Sequence, residues 1–258
     1  MSTSEKGRLV ILSGPSCVGK TPLYKALGKF YPELHGQLHK LVLFNSRVPR
    51  PGERDGVDYH FRTRAQVEAL RASDRYAVLD VRSDLQALDV QQLDSQLQRG
   101  HVFFEGNPFV GRALQSHSGL ADVNRLSVFI SPLSKEEIVY LQAPERSVSV
   151  QDFLTDVMRR KLLRRTRRQK GELSAADLED IEKRASSAYR ELQEASWFQF
   201  VIPNHDGEDS DNWEAFYYLL GDARKTLEAF AALLKGEVPF GVEQWKEDLL
   251  PMSGLTEN

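Results

Sequence analysis

The sequence predicts an α/β fold, a parallel sheet covered by helices on both faces, and three observations carry that expectation. Short apolar runs recur along the chain, RLVILS (Arg8 to Ser13), HVFFEG (His101 to Gly106) and RLSVFIS (Arg125 to Ser131), each short enough for a buried strand. Segments of helical spacing alternate with them, the arrangement that places parallel strands side by side. A glycine-rich turn, GPSCVGKT (Gly14 to Thr21), joins the first strand to the first helix.

The remaining elements follow in order. After Arg8 to Ser13 a helix is expected from Lys20 to Phe30, then a strand over HKLVLFNS (His39 to Ser46). RVPRPGERDGVDYHF (Arg47 to Phe61) is rich in proline and glycine and cannot be helical. Arg64 to Ala72 has helical spacing, YAVLDV (Tyr76 to Val81) reads as a strand, and Leu85 to Arg99 reads as a helix stopped by Gly100. Beyond Pro132 the chain turns helical: Lys135 to Gln142, Val150 to Gln169 and Ala175 to Gln193, then a strand in WFQFVIPN (Trp197 to Asn204). HDGEDSDN (His205 to Asn212) reads as a solvated acidic turn before a helix from Trp213 to Leu234, and the residues after Gly236 read as a tail draped over the surface or disordered.

Composition narrows the function class. With 258 residues, 41% hydrophobic and 28% charged, the chain can build one substantial core with inserted subdomains. A net charge of -3 argues against a dedicated DNA or RNA binder, and no apolar run approaches a membrane span. Cys17 is the single cysteine, so a reducing compartment, the cytoplasm, is expected. In its tight turn Cys17 reads as a small packing residue, with a redox handle as the alternative.

Gly14, Gly19, Lys20 and Thr21 satisfy G-x-x-x-x-G-K-[ST] between a strand and a helix, the context in which that spacing has meaning. In such a loop the backbone N–H groups of residues like Ser16, Cys17 and Val18 face phosphate oxygens at a helix N-terminus. Lys20 adds positive charge, and Thr21 offers an oxygen to magnesium. The loop points to a P-loop NTPase fold that uses ATP and Mg2+. Pro22 falls in the first helical turn, where its missing N–H is tolerated.

NSRVPRPGERDGVDYHF (Asn45 to Phe61) carries Arg47, Arg50, Gly52, Glu53, Gly56, Asp58, Tyr59 and Phe61 at the spacings of TR-x-x-R-x-GE-x-x-G-x-DY-x-F, and in this it resembles the guanylate kinases. The resemblance runs from about Arg8 to Leu234. It implies one guanylate kinase-like domain: core segments 8–42, 100–133 and 185–235, an acceptor-binding subdomain 43–99, a helical lid 134–184 and a tail 236–258. It further implies that Arg47, Arg50 and Tyr59 hold the phosphate of a small acceptor, a nucleotide or other phosphate monoester, since guanidinium forks pair with phosphate oxygens. Arg184, with Arg165 or Arg168 from the basic run KLLRRTRRQKG, would clamp the transferring phosphoryl group, and Asn204 would lie under adenine.

The resemblance weakens where the family selects guanine. Leu43 stands at the position of a serine, Asp80 is the best match for a glutamate, and Gly106 and Pro108 replace core-strand carboxylates, with Glu105 and Asn107 close by. A hydroxyl exchanged for leucine cannot pair the same base edge, so guanine is not singled out: the acceptor stays open among GMP, a modified or other nucleoside monophosphate and another phosphorylated small molecule. Guanylate kinase-like domains also occur as catalytically degenerate scaffolding modules. The intact Lys20 and Thr21 favour the enzyme over that alternative.

Overall fold

The computed structural model describes residues 7–49, 52–81, 83–117 and 120–250. Its central sheet is fully parallel, in the order β2-β7-β1-β8-β9. Here β1 is Leu9–Ser13, β2 Leu38–Lys40, β7 His101–Gly106, β8 Arg125–Ser131 and β9 Phe200–Pro203. All five residues of β1 are buried, as expected of a strand flanked on both sides and covered on both faces. Helices α1 (Lys20–Phe30), α4 (Val90–Leu97), α5 (Pro108–Ser116) and α9 (Gly221–Leu234) pack around it.

A second sheet, in the order β4-β3-β6-β5, is built from Phe44–Asn45 (β3), His60–Phe61 (β4), Tyr76–Val81 (β5) and Asp84–Asp89 (β6). Helix α3 (Arg64–Ala69) covers one face of it through Val67, which packs with Leu85 and Ala87. The long helices α7 (Val150–Lys170) and α8 (Ala175–Gln193) form an antiparallel pair preceded by α6 (Lys135–Gln142). Among the described residues no helix is long and apolar enough to cross a membrane.

Four sequence expectations change. His39 to Ser46 is two strands in different sheets, because the chain leaves β2 after Lys40 and enters β3 at Phe44; an apolar run gives no sign of such a change. Leu85 to Arg99 is half strand: β6 pairs antiparallel with β5, and Asp89 accepts the Gln92 N–H to start α4. The leucines at 85, 88, 93 and 97 mimic helical spacing, but cross-strand pairing decides the first half. The last helix begins at Gly221 rather than Trp213, where the Asp206 carboxylate accepts the Ala223 N–H. The segment after Gly236 is docked: Glu243 bridges Val201 of β9, and Trp245, Leu249 and Leu250 are buried. Residues 251–258 lie outside the described residues.

Helix α5 and the short helix α2 (Pro32–Gly36) were not anticipated. The signal for α5 was present, since Asn107 caps it through the Phe109 N–H and Pro108 opens it.

Candidate active site

The glycine-rich turn leaves the C-terminal end of β1 and winds directly into α1, so its N–H groups converge above a helix N-terminus. Gly19 has φ 97°, and a Cβ there would lie 2.7 Å from the Asn204 amide nitrogen and 2.9 Å from the Trp213 ring. No other residue fits that point. Cys17 adopts φ 68° without being glycine, a local strain of about 1 kcal/mol. Its thiol is buried and burial pushes its pKa up, so Cys17 is a packing residue rather than a redox handle.

Lys20 donates from Nζ to the carbonyls of Gly14 at 2.8 Å and Pro15 at 2.7 Å, which keeps the ammonium inside the loop. The Thr21 hydroxyl donates to Glu105 Oε1 at 2.7 Å. Glu105 lies next to the end of β7, beside β1, so a carboxylate faces Thr21 from a core strand where Gly106 and Pro108 offer none. Burial pushes its carboxyl above the ordinary range, against the opposing pull of Thr21 and Lys20. Pro22 leaves α1 intact.

One continuous cavity of about 540 Å³ runs from this loop to the second sheet. Arg47 and Tyr59 line the far wall. The Arg47 guanidinium makes a two-pronged contact with Glu53, both bonds 2.6 Å, and lies 5.1 Å from the Tyr59 ring centroid. That fork holds the guanidinium in place before any anion reaches it. Arg50 lies outside the described residues.

Asp80 does not face this cavity. Successive residues of a strand point to opposite faces, and Asp80 shares the α3 face of β5 with Val78, where it meets Arg71 at 2.9 Å and is largely exposed. The residues that do face the cavity are Val81, Asp84 and Gln86, with the buried Asn45 and an apolar floor containing Leu43 and Phe104. Sequence reasoning missed Asp84 and Gln86 because it placed a helix over β6.

From the long helical pair, Arg184 on α8 and Arg165 on α7 line the cavity. Arg184 is nearly fully buried and its guanidinium is 2.5 Å from Asp180 one turn earlier. Arg168 is elsewhere: one turn past Arg165, it pairs with Asp211 at 3.0 Å on the exposed side of α7. Asn204 also differs from expectation. It is buried, and its amide donates to the carbonyls of Val18 and Asp206, both at 2.7 Å, so it braces the phosphate loop and does not line the cavity.

The acidic stretch is not a solvated turn. Asp209 is buried and takes Arg164 at 2.6 Å and Lys161 at 3.7 Å, while Glu208 lies 3.5 Å from Arg165. Gly207 packs so closely on the loop that a Cβ would lie 2.1 Å from the Cys17 carbonyl oxygen. The signal was the match between KLLRRTRR and GEDSD, two opposite charge runs. A solvated reading applies to either run alone, whereas folding brings them together.

His205 begins the same stretch and joins two elements. Its ring nitrogens meet Asp222 of α9 at 2.6 Å and Glu137 of α6 at 2.9 Å. Burial pulls the imidazole down, but the hydrogen bonds to Asp222 and Glu137 outweigh it and hold the pKa above the ordinary histidine value. A raised folded-state pKa stabilises fully below the unfolded value of about 6.5, and that contribution fades as pH rises through the folded value. Urea unfolding is therefore expected to give a higher midpoint at pH 6 than at pH 9. In His205→Gln the difference should shrink; an unchanged pH profile assigns the effect elsewhere.

Comparison with known proteins agrees with this geometry. The guanylate kinase family model matches residues 6–76, which include the phosphate loop, Arg47 and Tyr59. A guanylate kinase of Synechococcus sp. (strain JA-3-3Ab) is 29% identical over 215 residues, covering 83% of each chain. One from Rickettsia bellii is 27% identical over 211 residues, 81% of this chain and 91% of its own. The crystal structure of guanylate kinase from Anaplasma phagocytophilum superimposes with a TM-score of 0.52 at 16% identity, covering 90% of this chain and 87% of that one, a likeness of fold. A phosphate loop faces Arg47 and Tyr59 across one cavity, and the relatives align over four fifths of the sequence: along most of its length the chain is similar to guanylate kinases.

Proposed function

We propose that this protein transfers the terminal phosphoryl group of ATP to the phosphate of a nucleoside monophosphate. The observation that carries the reading is the single cavity with Lys20 and the loop amides on one wall, Arg47 and Tyr59 on the other, and Arg165 and Arg184 between them. Phosphoryl transfer needs positioning and positive charge more than covalent chemistry, and this cleft supplies both.

In this reading the triphosphate lies on the loop with Lys20 against its terminal phosphates. Arg47 and Tyr59 orient the acceptor phosphate so that one of its oxygens faces the γ-phosphorus in line with the leaving oxygen of ADP. Arg184 and Arg165 take up charge on the transferring group, and the α7–α8 pair keeps water away from it. The acceptor oxygen is already ionised, so no general base is required. Arg50 belongs to the same acceptor role by its place in the motif.

The donor set around Thr21 fits magnesium. Its hydroxyl faces the Glu105 carboxylate, two oxygen ligands of the hard type Mg2+ prefers, and the ion commonly uses one or two protein groups plus phosphate oxygens. Among the described residues no cluster of three or more acidic, histidine or cysteine side chains competes as a metal site. When bound, magnesium supplies charge neutralisation on the phosphate oxygens. Thr21 and Glu105 are the residues that would hold it.

GMP is the reference acceptor, because guanylate kinases are what the chain is similar to. The base end of the cavity combines Leu43 and Phe104 with the amides of Asn45 and Gln86 and the carboxylate of Asp84, polar groups that can read a purine edge. Nothing favours a degenerate binding module, since the loop lysine and hydroxyl stand in the cleft. We place the activity in the cytoplasm, which the single buried cysteine fits.

The test is a coupled ADP-release assay with ATP, Mg2+ and a panel of GMP, dGMP, IMP, AMP and modified nucleotides. Acceptor-dependent ADP release is expected, highest for a purine monophosphate. ADP release that no acceptor stimulates rejects the proposal.

A further inference from the structure

A second cavity, about 660 Å³, opens at the other end of the central sheet. It is lined by Arg8 just before β1, His39 of β2, Arg99 after α4 and His101 of β7, with the amides of Gln37 and Asn124; no aspartate or glutamate lines it. Arg8 and Gly14 stand six positions apart along the extended strand β1, so the cavity lies roughly 20 Å from the phosphate loop.

The charge balance here is unusual for this chain. Acidic residues outnumber basic ones, 37 to 34, and many arginines elsewhere are matched by carboxylates, among them Arg47 by Glu53, Arg75 by Asp89, Arg112 by Glu194 and Arg159 by Glu182. Among the described residues, Arg8, His39, Arg99 and His101 have no carboxylate partner. The Arg8 Nη2 donates to the Leu234 carbonyl at 2.7 Å, while its Nε is sealed from solvent and makes no hydrogen bond. The His101 Nδ1 accepts the Arg8 backbone N–H at 2.9 Å, which leaves Nε2 as the nitrogen that carries the ring proton. Burial, with the neighbouring Arg8 and His39, holds the His101 pKa below the ordinary value. The cavity thus gathers two guanidinium groups and a neutral imidazole with its N–H on Nε2, with no carboxylate among its lining residues.

We propose that this cavity binds a compact phosphate-bearing anion. Phosphate oxygens only accept hydrogen bonds, and the walls offer guanidinium, imidazole and amide donors without a repelling carboxylate. The site is separate from the transfer cleft, so its occupancy does not depend on the activity proposed above.

The test uses inorganic pyrophosphate and the full chain, following the imidazole C2–H resonances of His39 and His101, each assigned by its glutamine variant. Both resonances are expected to move saturably with a Kd below about 5 mM, and Arg99→Glu should weaken binding about tenfold or more. Arg99→Ala is the milder variant if the reversal of charge disturbs folding. Lys20→Ala should leave both histidine shifts in place, which separates this site from pyrophosphate bound at the loop. Shifts that fail to saturate by that concentration, an Arg99 variant with wild-type affinity, or shifts abolished by Lys20→Ala would each overturn the proposal.

Discussion

Lys20→Ala is expected to lower kcat by about 100- to 1000-fold, the range observed when one preorganised electrostatic contact to a transition state is removed. The ammonium is held by the Gly14 and Pro15 carbonyls, so its position is set by the loop before ATP arrives and little reorganisation is needed during transfer. Removing it also takes a donor from two buried carbonyls, so the melting temperature should be recorded beside the rate. A folded variant with wild-type kcat removes Lys20 from the machinery.

Arg47→Ala is expected to raise the acceptor KM by about 100-fold, with a smaller change in the KM for ATP. A two-pronged guanidinium contact to phosphate contributes about 3 kcal/mol, and each 1.4 kcal/mol is tenfold in affinity. The same change leaves Glu53 half-buried without its partner, a stability loss on the order of 1–3 kcal/mol. Initial-rate measurements with each substrate varied in turn distinguish the two effects, because unfolding lowers the active fraction for both substrates alike. If only the ATP KM rises, the acceptor wall has been assigned to the wrong substrate.

The sequence made the central sheet legible because β1, β7 and β8 are buried on both faces and read as unbroken apolar runs. The phosphate loop was legible because its glycines and lysine are constrained by local backbone geometry. The second sheet was not: β3 and β4 are two residues each, and β6 carries leucines at helical spacing, so pairing with β5 decides its state. The error at Asp80 has the same source. The residues of β5 were identified, but which of them face the cavity depends on the pairing of β5 with β6 and on α3, which no local pattern states. Among the lid arginines, composition could not distinguish Arg165 from Arg168. One helical turn separates a side chain that reaches the cavity from one that faces Asp211. Glu105 was within reach of the reasoning, since only its side-chain direction had to be learned from the structure.

The carboxylates of the stretch between Asn204 and Trp213 change what the cleft asks of a ligand. Arg165, which lines the cleft, is already opposed by Glu208, so a nucleotide bound as proposed would exchange partners with the protein's own acid. A lone monovalent ion brings Arg165 no more than Glu208 does, whereas a polyphosphate tail engages the loop, Lys20 and the lid together. On the proposed function, the cleft would therefore favour multivalent anions over monovalent ones before shape or base identity is read.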